Sequence, residues 1–192
     1  MKRYTLLLLS IILCLFACKQ KDIEPYEKRD IIKKLLMGDW VVDKDKVGVE
    51  MIVESWAVPF KGIAETIIKS SIADEVKDNV LRITEDRAYC YRKSTVSSSN
   101  YRIKNDTLFF EDASLLGLPI PHILIYQDSL RMDKMTAYLS KDEIVNILID
   151  MGETKHLDLI KNNVKEARCK LIFKRAEAHQ YDDLFILSEQ PQ

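Results

Sequence analysis

The sequence predicts a mostly β fold with helices. An antiparallel meander curls into a barrel or half-barrel, with a helical insertion after the first strand and a helix pair before the last. Three observations predict it. Between Val80 and Tyr138 apolar residues recur with a period of two, broken by short polar turns, as in half-buried strands. Ahead of that run, Phe60 to Val76 carries its apolar residues at steps of three and four, the period of a helix. Behind it, two helical patterns lead into one more alternating run, Cys169 to Lys174. A meander of this kind buries one face and removes exposed strand edges by closing on itself.

The chain begins differently. Lys2 and Arg3 precede an apolar run from Leu6 to Phe16 that only Ser10 interrupts. That run is shorter than the ~20 apolar residues a membrane-spanning helix needs, and cations followed by a short apolar core describe an export signal. Leu15-Phe16-Ala17-Cys18 resembles the bacterial lipobox. The resemblance implies that residues 1–17 are a cleaved signal peptide and that Cys18 receives the lipid. Two or more acyl chains, at ~0.8 kcal/mol per buried methylene, hold a protein on a membrane without a spanning segment. Residues 18–28 then read as a polar tether. Gln20-Lys21-Asp22 is similar to export tags that place such proteins on the cell surface, so the outer membrane is the expected address, on its periplasmic or outer face.

Composition narrows the classes. With 47% hydrophobic residues, 5 glycines and 5 prolines, the chain suits a folded core over a disordered one. Its 29 basic side chains are matched by 30 acidic ones, which argues against an electrostatic nucleic-acid binder.

The elements follow in order. Tyr26 to Met37 spaces Ile31, Ile32, Leu35 and Leu36 along a helix that Gly38 ends. Trp40-Val41-Val42 opens a strand, and Asp43 to Lys46 is a charged turn. Gly48 to Pro59 is compatible with strand or helix, because Val49, Met51 and Val53 alternate but the run is long. The stripe of the next helix comprises Phe60, Ile63, Ala64, Ile67, Ile68, Ile72 and Val76. Hairpins follow at Val80–Thr84 with Ala88–Ser94, at Asn100–Ile103 with Thr107–Phe110, and at Ile123–Tyr126 with Leu130–Tyr138. Ser97-Ser98-Ser99 reads as a loop. Ser140 and Glu143 form a capping box ahead of Lys141–Met151, and a second helix covers Lys155–Val164. Cys169, Leu171 and Phe173 share one face of the closing strand. The folded domain is expected over 29–176, with 177–192 as a tail whose Leu184-Phe185-Ile186-Leu187 run is able to dock.

Leu36-Met37-Gly38-Asp39-Trp40 opening a strand, followed by this meander, resembles the lipocalin-like lipoproteins of Bacteroides-type bacteria. The helical insertion, a late strand ending in Leu130-Arg131-Met132-Asp133 and the apolar helix pair before Cys169–Lys174 are similar to that group. The resemblance covers most of residues 35–175. It implies a small antiparallel barrel, filled with side chains or holding one small ligand.

Candidate sites divide along that question. Tyr89, Tyr91, Tyr101 and Phe110 suit a cavity for a small apolar or amphipathic ligand, or else a filled core with hydroxyls at its rim. Leu115 to Pro121, with Leu118 at its centre, guards a cavity mouth, offers an apolar patch to an envelope protein, or folds over the barrel end. Trp40 is expected to plug one end. Cys90 and Cys169 form a long-loop disulfide worth ~4 kcal/mol, or pack as free thiols. His122, His156 and His179 stand on different elements without metal spacing, and no nucleophile elbow or phosphate loop is present. The expectation is a non-enzymatic binding or interaction domain without cofactor or metal. Replacing Cys18 with Ser is expected to abolish acylation and release the protein from membranes, read by radiolabelled palmitate incorporation and membrane fractionation.

Overall fold

The computed structural model describes residues 25–125, 134–153 and 157–186. Cys18, the Gln127–Ser129 turn and His156 lie outside them. Helix α1 (Pro25–Leu36) runs across a division of the chain after Ile32, and all other described elements belong to the unit beginning at Lys33.

The strands are β1 (Gly38–Val42), β2 (Gly48–Val53), β3 (Val80–Ile83), β4 (Arg87–Arg92), β5 (Thr95–Lys104), β6 (Thr107–Phe110), β7 (His122–Ile125), β8 (Lys134–Ser140) and β9 (Val164–Arg175). They form one antiparallel sheet in the order β1-β3-β4-β5-β6-β7-β8-β9-β2, and β1 also pairs with β9. That pairing closes the sheet into an eight-stranded barrel, not a half-barrel. β1 and β2 lie end to end along one side of β9, with Val42 opposite Phe173 and Gly48 opposite Lys170. The charged turn expected at Asp43–Lys46 is a 3-10 turn over Lys44–Lys46 that steps out of this ladder, while the Asp43 N–H still donates to the Ile172 carbonyl at 2.8 Å. The ambiguous Gly48–Pro59 segment is strand first, then a 3-10 helix over Ser55–Phe60.

Two of the hairpin turns are tight and contain no glycine. Lys93-Ser94 (φ 47° and 64°) and Asn105-Asp106 (φ 49° and 56°) hold two successive left-handed residues, whose twist matches that of the flanking strands. The first of these turns corrects the expected serine loop. Ser97, Ser98 and Ser99 sit in β5 opposite Cys90, Tyr89 and Ala88. Serine is a poor strand former, but the partner strand on the other side of a two-residue turn overrides local preference.

Helix α2 (Lys61–Val76) lies between β2 and β3 and packs against β2. Its buried line is Ala64, Ile68, Ile72 and Val76, a strict step of four. Phe60 and Ile63, expected on that face, are 43% and 53% exposed. Helix α3 (Lys141–Asp150) starts with the expected capping box, the Ser140 N–H donating to Glu143 Oε2 at 2.6 Å. Helix α4 (Leu157–Asn163) leads directly into β9.

The Leu36–Trp40 corner ties the helix end to the barrel. Trp40 is fully buried, and its indole N–H donates to the Leu36 carbonyl at 2.8 Å. Arg175, at the end of β9, lies over the Trp40 ring at 4.5 Å and donates to the Met37 carbonyl at 2.6 Å and to that of Leu35. It thus satisfies two of the carbonyls a helix end leaves orphaned. Gly38 makes the approach possible: its φ is +124°, and a Cβ there would lie 2.7 Å from Arg175 Nη1. One residue on, buried Asp39 receives Arg82 through two hydrogen bonds of 2.7 Å.

Arg82 also organises the C-terminal segment. It donates to Asp182 at 2.7 Å and lies 4.2 Å from the centre of the Phe185 ring, which docks helix α5 (Asp182–Ile186) on the outside of the barrel. The tail after residue 176 is thus held to the barrel through Asp182 and Phe185. Replacing Trp40 with Ala is expected to cost ~3–5 kcal/mol, because it removes a large side chain from a sealed corner. Urea unfolding should show the midpoint falling at an unchanged m-value.

Candidate functional site

The barrel interior is the first place to look for a ligand, and it is occupied by the protein itself. Trp40, Leu81, Ile83, Ala88, Cys90, Leu108, Ile123, Met135, Leu139, Cys169, Leu171 and Phe173 are all at most 2% exposed. A small void of about 10 Å³ lies among the described residues, bounded by Val42, Leu81, Leu118, Leu171 and Phe173 among others. That is at or below the space a single water needs.

The expected site residues do not converge on a cavity. Along β4 the inward positions belong to Ala88 and Cys90, so Tyr89 and Tyr91 point outward. Each borders a separate surface hollow: Tyr89 lies with Arg82 and Phe185, Tyr91 with Val80 and Lys174. The strand period leaves two parities, and the small residues, not the tyrosines, take the interior one. Tyr101 does sit at the barrel rim, across the ladder from Phe110. Its hydroxyl donates to the Thr84 carbonyl at 2.6 Å, fastening it across the rim. Burial, with Asp86 and Glu85 nearby, pushes that phenol up to about 12. Phe110 is 7% exposed and belongs to the same seal.

The 115–121 connection folds over the barrel end and is not an exposed patch. Leu115, Leu116, Leu118 and Ile120 are each at most 3% exposed. Buried Asn79 reaches across to donate to the Leu116 carbonyl at 3.0 Å, and Asp112 accepts from the Ser114 N–H and hydroxyl. Gly117, at φ +70°, packs so tightly on Arg92 that a Cβ would lie 2.2 Å from Arg92 Nε.

The two thiols are free and buried inside the barrel. Cys90 and Cys169 stand on β4 and β9, strands that are not sheet neighbours. Desolvation pushes both up to about 12, although the charge of Arg92 opposes the shift at Cys90. His122 is exposed, 5.8 Å from the Phe109 ring, at the margin of an open groove of about 1020 Å³. That groove also passes Ile52, Lys61 and Glu65, and it ends where Arg168 stacks on Tyr138 at 3.6 Å.

The feature sequence reading missed lies beside this groove. Ile52, Trp56, Val58, Phe60 and Ile63 are 43–64% exposed, within twelve residues of chain. Large exposed apolar residues gathered in one short segment stand apart from singly scattered ones, which need no explanation. The signal in the sequence is Trp56-Ala57-Val58-Pro59-Phe60, too short for a strand and with only Ala57 buried. Two ion pairs border it, Lys61–Glu65 and Lys165–Glu54.

Comparison of the chain with family models, curated proteins and solved structures yields no match. Among the described residues no helix is long and apolar enough to cross a membrane. Cys90 and Cys169 are expected to resist alkylation in the native protein at pH 8. Both should label after denaturation without reductant, which mass spectrometry will count directly.

Proposed function

We propose that the chain is a lipid-anchored envelope protein, acylated at Cys18 and held at the outer membrane. In this reading its lipocalin-like barrel serves as a rigid platform for binding another envelope protein. The observation that carries the reading is the filled interior. Among the described residues the inward side chains are buried and the void beside them is about 10 Å³, which leaves no space there for even a small ligand. A carrier of apolar molecules within the barrel would need a cavity of several hundred cubic ångströms.

The binding surface is the segment from Ile52 to Ile63. A central tryptophan and phenylalanine are the residue types that dominate interface energetics. The border argues for a protein partner over a lipid surface. Glu54 and Glu65 hold the neighbouring cations in pairs, giving an apolar centre with a polar, charge-balanced rim. Membrane-surface segments instead present unpaired cations toward anionic lipid. The adjoining groove of about 1020 Å³ supplies depth, so a partner side chain has somewhere to insert.

A photo-crosslinking residue at position 56 is expected to give one reproducible adduct in cells. A Trp56→Ser substitution should weaken the same complex by about 2 kcal/mol, roughly thirtyfold, without lowering the melting temperature. A native sample that instead releases a stoichiometric organic compound on solvent extraction, with the crosslink absent, overturns the reading.

A further inference from the structure

A second groove, built from different residues, lies between the end of α2, the end of β4, the 114–119 loop and α3. Its volume is about 600 Å³, within the range of small-molecule sites. We propose that this groove binds a single-chain carboxylate amphiphile, with its head at Lys93 and Arg92 and its chain along Pro119, Ile149 and Met151.

The polar end is defined by three charged side chains. Glu75, 9% exposed, accepts from Arg92 and from Lys93, which lies at 3.1 Å. Burial pushes the Glu75 carboxyl up, but the hydrogen bonds and charges of the two cations outweigh it and hold the carboxyl below its ordinary value. One anion is therefore shared between two cations, and the corner keeps one positive charge in excess. Arg92 engages Glu75 through Nη2, while its Nε is buried with no acceptor. A buried donor without an acceptor is unusual and costs ~1–3 kcal/mol. Lys93 is 67% exposed, so its ammonium still presents protons to the groove. A carboxylate in the groove supplies the missing charge and accepts from the exposed Lys93 ammonium, whereas Arg92 Nε lies covered by Gly117.

The other end is apolar and uncovered. Ile149 and Met151 are 44% and 38% exposed at the end of α3, although the rest of that helix buries its large side chains. An alkyl chain laid across them removes apolar surface from water, at ~25 cal/mol per Å². Asp150 also faces the groove, which disfavours a second anionic group on the ligand. Among the described residues the lining contains no aromatic ring to stack a nucleobase. One acidic head and one flexible chain fit these constraints.

The probe is laurate, below its micelle concentration, titrated calorimetrically into the mature chain from Cys18 to Gln192 prepared without acyl groups. The control ligand is 1-dodecanol, which has the same chain and no charge. Laurate is expected to bind at least tenfold tighter than the alcohol. Lys93→Gln and Met151→Ser should each weaken it about tenfold, and Arg102→Gln should leave it unchanged. Lys93 and Met151 are exposed, so both variants should fold even where Arg92→Gln does not. Equal affinity for the acid and the alcohol, unchanged binding in both groove variants, or no binding up to about 1 mM each overturns the proposal. None of these outcomes alters crosslinking at position 56, so the two readings fail separately.

Discussion

The buried Trp40 corner is the constraint on which the remaining architecture depends. A helix ends, a glycine turns through a backbone conformation few residues tolerate, and the next two side chains lock in opposite senses. Asp39 takes Arg82 from β3, while Trp40 closes the barrel beneath Arg175 from β9. The first strand is thereby fastened to both of its neighbours through side chains as well as through the ladder. Because Arg82 also holds Asp182 and Phe185, the same corner extends to the last described helix. Buried charge is tolerated there because each guanidinium finds acceptors or an aromatic face.

Much of this was legible in the sequence. The period-two runs located the meander, the capping box at Ser140 and Glu143 formed as read, and Cys169, Leu171 and Phe173 share the inward face. Trp40 is the plug its motif suggested. Closure was expected, but which strands meet was not legible, because that rests on residues near 40 meeting residues near 175, and periodicity carries no information about partners that far apart. Strand parity failed at β4 for a related reason. Alternation says that Tyr89 and Cys90 face opposite ways, but only the neighbouring Leu81 decides which of them is inside.

Residue character alone left alternatives open at the candidate sites. The tyrosines suited an amphipathic cavity or a filled core, and the interior took alanine, cysteine and aliphatic side chains. The leucine-rich loop suited an exposed patch, a cavity mouth or a cover for the barrel end, and Asn79 and Asp112 fix it as the barrel's lid. The surface that does expose apolar residues comes from a segment whose secondary structure the sequence left ambiguous. That ambiguity is itself physical. Trp56 to Phe60 has neither a strand's alternation nor a helix's stripe because it has no buried face to specify beyond Ala57. Glu75, Arg92 and Lys93 are remote from one another or unremarkable in sequence, and only the fold assembles them.

The interrupted first strand bears on how the polypeptide reaches this state. β1 and β2 lie along β9, a partner more than a hundred residues downstream. Loops this long are slow to close, and topologies dominated by distant contacts fold slowly. The hairpins from β3 to β6 can form as soon as they emerge, and β1 can pair with β3, but β2 must wait, unpartnered, until nearly the entire chain has been synthesised. During that interval it is exposed to pairing with neighbouring molecules. Premature termination anywhere before residue 164 would leave it permanently in that condition.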